Sequence, residues 1–500
     1  MTGLNRTDLP TSHKVELAAS SLAWQGAYGA KSELARAFGV SRSTVYAAGE
    51  TAYDVLAEHF VGAESEETTI TVDERQIERA IGALRVVSPN SIRAIETLLP
   101  LVYPGIHVSY GKIHQILVKL EQRARKFNIE GDLSGIKAGA LDEMFSQGNP
   151  VLAGVDLDSG YLFSLALRES RGAEDWAEVL QAAKQQGLAL EKVVKDAALG
   201  IAAGVKATYP NAEQRDDCFH AFYEMGKLKR QLEQRGYGAI ARAEEAEKKL
   251  RDVRRTGRGD RSKLGGAVGP ALRKCNKVLA LHDAFEEAMR EVMESMEFID
   301  LVTGRIRTAN EMESSIEAAA KKMMALDHER CVKVGKYIYN RAAGLALYMK
   351  ELGAALDELV SRYGDVSVRL ASIIYRLTQD LEKRKRPWDR RRDEQHLLGA
   401  LAMLRENAGD DIAQILDTMD AVMQKRHRAS SAIEGFNAAP RPFLYVHKGV
   451  TDGFLELFRA YHNLKTRRWG RHKGTSAHET LTGERVSDWL SLLGYPPSIN

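Results

Sequence analysis

Over residues 30 to 60, AKSELARAFGVSRSTVYAAGETAYDVLAEHF, apolar residues recur at helical spacing: Leu34, Ala35 and Phe38 share a face, Gly39 ends that helix, and a second begins at Ser41. A helix, a tight glycine turn and a Ser-capped helix carrying Arg42, Ser43, Thr44 and Tyr46 make a helix-turn-helix pattern, which turns those polar residues toward a DNA major groove. Residues 89 to 127 repeat the arrangement, with an apolar helix, a Pro/Gly break and a helix that opens at Ser109 and carries Lys112 in its first turn. An ordinary helical hairpin accounts for either segment alone; two in tandem, joined by an acidic linker at Glu64 to Glu67, favour a pair of DNA-binding modules.

From residue 136 the period changes. IKAGALDEMF, PVLAGVDLD and GYLFSLALRES are short apolar runs, the last two parted by Asp158, Ser159 and Gly160, and they predict three sequential antiparallel strands. Residues 173 to 187 read as a helix, KVVKDA at 192 to 197 as a buried strand, ALGIAAGVKATYP as a helix and EQRDDCFHA as another strand. The expected order is βββαβαβ. Between Pro210 and Pro440 only Pro270 and Pro387 interrupt a segment of Ala, Leu, Glu, Lys, Arg and Met at helical spacing, which predicts an all-helical insertion. A helix around Glu434, a Pro-broken turn and a helix from about Asp452 follow. The fold class expected is α/β: a mixed sheet flanked by helices, with N-terminal helix-turn-helix modules and a large all-α insertion. The boundaries expected are 1–65 and 66–130 for the two DNA-binding modules, 131–224 and 426–500 for a divided core, and 225–425 for the insertion.

Composition narrows the function. Five hundred residues exceed what one core usually organises, which predicts several domains. The net charge is only +3, from 71 basic against 68 acidic residues, so a nucleic-acid surface has to come from local clusters. Cys218, Cys275 and Cys331 are widely separated and form no CxxC pair, which fits a reducing compartment. No signal-peptide run and no long uncharged apolar stretch is visible, so the expected location is cytoplasmic, and nucleoid-associated if the source is bacterial.

The chemistry follows from where the acids fall. Asp142 is expected at the end of the first strand and Asp196 at the end of the strand after the first crossover helix, where a right-handed crossover sets them side by side. Two close carboxylates repel unless a cation neutralises them, and hard oxygen ligands select Mg²⁺ or Mn²⁺. A third acid would complete a site for two metal ions, the arrangement suited to in-line displacement at phosphorus. Glu143, Asp156 and Asp158 lie close enough in sequence to compete with Asp142 for that role.

The segments LDEMF at 141 to 145, VVKDAALGIAAGVKATYPNAEQRDDCFHAFYEM at 193 to 225 and SSAIEGFNAAPRPFLYVHKGVTDGF at 430 to 454 resemble DDE-type insertion-sequence transposases. In that family the acids hold two metal ions on an RNase H-like core, the last of them within a serine-flanked S-x-x-E-G-x-N motif. The resemblance places the catalytic and metal-binding roles on Asp142, Asp196 and Glu434. The long stretch before Glu434 is similar to the helical insertion of hAT and Mutator-like families. The resemblance also implies a supporting role for Asp217 and His220, within Asp217-Cys218-Phe219-His220; a histidine satisfied at a strand end is the plain alternative, and a zinc site lacks companion ligands.

Basic clusters bear on DNA separately. Residues 383 to 392, KRKRPWDRRR, hold seven Lys or Arg against one Asp, with Trp388 interleaved to stack a flipped base; a solvated basic helix is the alternative. KTRRWGRHK at 465 to 473 has no acid, and Arg441, His447 and Lys448 follow Glu434 where phosphates would pass. The expectation is a transposase that binds terminal inverted repeats and cuts and joins DNA, as a homodimer or higher homo-oligomer because two ends must be held together. A domesticated transposase that binds DNA without catalysis, and an RNase H-like nuclease, are the alternatives.

Overall fold

A computed structural model describes residues 9–24, 29–61, 72–383, 386–427, 431–446 and 449–497. The chain divides into two compact units, residues 1–73 and 74–500. The acidic linker at 64 to 67 and Lys448 lie outside the described residues.

The first unit contains α1 (Thr11–Ala23), α2 (Ala30–Ala37) and α3 (Arg42–Val61). Leu17, Ala35, Val45 and Ala48 are its buried core. Gly39 turns the chain between α2 and α3 at φ 62, a conformation that costs glycine little. Ser41 Oγ accepts from Thr44 N at 3.2 Å and so caps α3. Helix α1 went unread in the sequence. Its packed side carries a polar contact beside apolar Leu17, since buried Ser21 donates from Oγ to Val45 O at 2.8 Å.

The second unit opens with α4 (Glu74–Val87), α5 (Ile92–Val102) and α6 (Tyr110–Glu130). Ser91 and Ser109 cap α5 and α6 through their side chains, and Pro100 lies within α5. Five strands follow: β1 (Ala138–Ser146), β2 (Asn149–Asp156), β3 (Leu162–Leu167), β4 (Lys192–Lys195) and β5 (Glu213–Asp216), with α7 (Ala173–Gln185) before β4 and α8 (Leu199–Thr208) before β5. The order matches the βββαβαβ expectation. In the sheet the strands lie β3-β2-β1-β4-β5, with β1–β2 and β2–β3 antiparallel and β1–β4 and β4–β5 parallel.

Two readings are corrected. Asp142 does not end its strand: β1 runs on to Ser146 because the hairpin with β2 continues to Ser146↔Asn149, whereas the parallel ladder with β4 stops at Leu141↔Lys195. Asp142 is therefore the first residue of β1 beyond its parallel partner. The last strand is also shorter than EQRDDCFHA suggested, because Asp217 caps a helix that starts at Cys218. A capping aspartate ends the extended run in spite of the apolar residues beyond it.

That helix, α9 (Cys218–Thr256), begins a long helical series: α10 (Arg261–Ser295), α11 (Ala309–Met324), α12 (Glu329–Tyr339), α13 (Ala342–Ala346), α14 (Tyr348–Tyr363), α15 (Asp365–Lys383), α16 (Pro387–Ala408) and α17 (Ile412–Gln424). Its principal core includes Met225, Phe285, Phe298, Met312 and Met349. The chain returns to the sheet through α18 (Ser431–Asn437), α19 (Arg441–Val446) and α20 (Asp452–Leu464), then α21 (Ala477–Thr482) and α22 (Trp489–Leu492).

Alternating side chains give the sheet two cores. Leu141, Val193 and Trp176 belong to the face covered by α7 and α8. Ala140, Met144 and Ala153 pack with Ile433, Phe436 and Phe458 of α18 and α20 on the other. The edge strand β3 is closed by α20: Asn463 Oδ1 accepts from Leu162 N at 2.8 Å, and Asn463 Nδ2 and Arg459 Nε both donate to Leu162 O at 3.0 Å. Helix α6 packs on α20 through Leu120, Ala124, Leu457 and Ala460.

Candidate active site

The site begins with backbone register. The parallel ladder pairs Leu141 with Lys195, so Asp142, the next residue of β1, lies across from Asp196, the residue that follows β4. Paired positions share a face, which gives both carboxylates the side on which α18 packs. Asp142 is buried, with 8% of its surface exposed. Its Oδ1 accepts from Glu143 N at 2.8 Å and its Oδ2 from Asn437 Nδ2 at 2.6 Å. Asp196 is partly exposed, and its Oδ1 accepts from Ala198 N at 2.8 Å, so the turn into α8 orients it.

Asn437 is the residue the sequence reading passed over, although it is the last letter of the quoted S-x-x-E-G-x-N motif. It is buried, and among the described residues its Oδ1 has no hydrogen-bond partner. One buried amide thus steadies Asp142 and leaves a hard oxygen unused, an unusual cost unless something occupies the space beside it. Glu434 belongs to the same helix, α18, one turn before Asn437. Its side chain lies outside the described residues, and among the described residues no three His, Cys, Asp or Glu groups form a metal cluster.

Asp217 and His220 form a coupled pair beside the two aspartates. Asp217 is buried, and its Oδ1 accepts from Phe219 N at 2.9 Å while its Oδ2 meets His220 Nδ1 at 2.9 Å. That bond is the main reason the imidazole is pushed up to about 9; the charges of Asp217, Asp142 and Asp196 act in the same direction, against partial burial. At neutral pH His220 is therefore a cation that both carboxylates act on electrostatically.

The competing acids have other work. Glu143 points to the opposite face, where its Oε2 accepts from Arg171 Nη1 at 2.9 Å and its Oε1 from Trp176 Nε1 at 3.2 Å. Arg171 lies on a loop set closely against α8, since a Cβ on Gly200 would come within 2.1 Å of Arg171 O. Asp156 accepts from Ser159 N at 2.8 Å, which closes the β2–β3 turn, although burial raises its pKa. Asp158 meets His427 Nε2 at 3.1 Å, a contact that lowers its pKa.

The remaining expected residues have surroundings of their own. Arg441 is exposed on α19, which packs on β1. Trp388 is 68% exposed at the start of α16, where Arg390 pairs with Glu394 and Arg392 with Asp393. Lys112 pairs with Glu74 at 2.9 Å on the surface. In the first unit Arg42, Ser43 and Tyr46 are exposed and Thr44 is half-buried; the Ser43 and Thr44 hydroxyls are both within 2.8 Å of Ser41 Oγ, and Lys31 lies over the Tyr46 ring.

No protein-family model and no curated protein matches the sequence. Among solved structures the chain is similar to a Drosophila P element transposase strand transfer complex, at a TM-score of 0.29 and 10% identity over 76% of this chain and 98% of that one, a likeness too slight to argue from. No described helix is long and apolar enough to cross a membrane.

Proposed function

We propose that the chain is a DDE-type transposase with an RNase H-like core, which binds terminal inverted repeats and catalyses metal-dependent DNA cleavage and strand transfer. The observation that carries the reading is the register of β1 against β4, which sets Asp142 beside Asp196 on the face where the helix bearing Glu434 packs. The strand order β3-β2-β1-β4-β5, with its antiparallel first three strands, agrees with an RNase H-like core interrupted by a helical insertion.

Mg²⁺ or Mn²⁺ suits the oxygen donors present: the Asp142 and Asp196 carboxylates, the unpartnered Oδ1 of Asn437 and, by the motif, Glu434. Two such ions supply charge neutralisation at the attacking and leaving oxygens of a phosphodiester. The chain's own residues do the positioning. Asn437 Nδ2 fixes the Asp142 carboxylate, the turn into α8 fixes Asp196, and Asp217 holds the His220 imidazolium where it offsets their repulsion. Arg42, Ser43, Thr44 and Tyr46 at the start of α3 are the groove-facing residues of a helix-turn-helix in this reading, and α5 and α6 form a second module. Two DNA ends require two copies of the chain.

The test is cleavage and joining of labelled element-end DNA with Mg²⁺ or Mn²⁺. Release of a 3′-hydroxyl and its transfer to target DNA is expected, and activity that survives Asp142→Asn, Asp196→Asn and Glu434→Gln would sink the reading.

A further inference from the structure

Away from the sheet, α9 and α12 border an open cleft of about 510 Å³ lined by Gln231, Gln234, Arg235, Gly238, Arg242 and Arg330. An adjoining hollow reaches His328 and Glu329. What sets the cleft apart is how its cations are held. Arg235 Nη1 donates to His328 Nε2 at 2.6 Å, and Arg330 Nη1 donates to Gln231 Oε1. Both acceptors are neutral. His328 is kept so by desolvation and by the charges of Arg235 and Arg330, which lower its pKa against the opposing pull of Glu329 and Asp327. Among the described residues no carboxylate lies within ion-pair distance of Arg235, Arg242 or Arg330, whereas Lys229 on the same helix is bound to Glu286. Two of the guanidiniums are thus oriented without being neutralised, at the cost of mutual repulsion. Natural surfaces tolerate such a cluster where an anion relieves it.

The anion has to be extended. Arg235 and Arg242 are two turns apart, about 10 Å along the helix at 1.5 Å per residue. Guanidinium forks match phosphate oxygens, and that span covers more than one phosphate of a nucleic-acid strand. We propose that this cleft of the helical insertion binds consecutive backbone phosphates of DNA, an inference that rests on the DNA-acting reading above but not on the acidic triad. A free polyphosphate presents the same chemistry from another source.

The experiment measures binding of a fluorescent duplex of arbitrary sequence to the full chain against salt concentration, because backbone contacts carry no sequence information. Arg235→Gln/Arg242→Gln/Arg330→Gln is expected to weaken binding by about 10-fold or more at low salt and to flatten the salt slope by about 2, while the corresponding triple lysine variant, which keeps the charge, retains most of the slope. Equal affinity and slope in the glutamine variant overturn the proposal, and so does an equal loss in both variants, which would mark a structural role. Binding is measured without divalent cation, so a failed catalytic reading leaves this test intact. If wild type binds no duplex, the DNA-acting reading and the DNA ligand fall together; tripolyphosphate binding that is lost in the glutamine variant then assigns the cleft to free polyphosphate, and its absence overturns the cleft as an anion site.

Discussion

The carboxyl end of the sheet and the cleft on α9 concentrate charge of opposite sign by different means. At the sheet the backbone does the positioning: one ladder register sets Asp142 next to Asp196, and short hydrogen bonds to Asn437 and to the backbone hold the side chains. In the helical region side chains position side chains, and the choice of partner decides what each charge can do. Arg376, buried between α15 and its neighbours, faces Glu294, Glu297 and Asp380 at 3.0–3.3 Å and is spent on structure. Arg235 and Arg330 have neutral acceptors and remain charged toward solvent. The buried pairs of Arg376 belong to the packing of the helices, whereas the charges of Arg235 and Arg330 stay available to a ligand under the proposal above.

The largest effect is expected at the sheet. Asp142→Asn or Asp196→Asn should lower strand cleavage by about 10³-fold or more while leaving the far-ultraviolet dichroism unchanged, since both are close to isosteric. A variant that unfolds instead would show that the carboxylates serve stability. On the helical side Arg376→Met should cost roughly 3 kcal/mol of unfolding free energy, because it removes the buried cation that the largely buried Asp380 faces. A loss below about 1 kcal/mol in denaturant titration would mean that the network is effectively solvated.

Asn437 joins the two modes, as a side chain that steadies a residue the ladder has placed. Asn437→Ala should reduce activity about 10- to 100-fold, in the manner of partners that orient metal ligands. If kcat stays at the wild-type value, the contact to Asp142 has no role in positioning it.

The smallest effect is electrostatic. With His220 raised from an ordinary value near 6.5 to about 9, the Asp217–His220 bond stabilises the fold fully below pH 6.5, and that contribution fades as pH rises through 9. Its partial exposure limits the loss to about 1–2 kcal/mol. His220→Gln should flatten the stability profile over that window; an identical profile in both proteins would remove the pair from the account.

The unequal legibility of the two regions has the same origin. The chain order of the strands, the crossover helices and the adjacency of the strands leading to Asp142 and Asp196 could be read because a period of two and capped turns are local signals, and the sheet converts them directly into neighbours. Where each strand stops was less legible, since Asp217 ends β5 through a cap that competes with an apolar run, and β1 is prolonged by a hairpin partner. Asn437 was visible as a motif letter but not as a contact, because its bond to Asp142 joins distant parts of the chain. The arginine cleft had no local signal: Arg235 and Arg330 become neighbours only when α12 packs beside α9. Trp388 shows the reverse, a conspicuous sequence feature that lies on an exposed helix among intrahelical ion pairs.

Under the proposed function Asp142, Asp196 and Glu434 form one divalent-cation site. Anomalous diffraction from crystals of the full chain grown with Mn²⁺ tests it most directly: the account predicts manganese peaks bound to the Asp142 and Asp196 carboxylates with Glu434 completing the shell, and peaks only elsewhere, or none at saturating Mn²⁺, would contradict it.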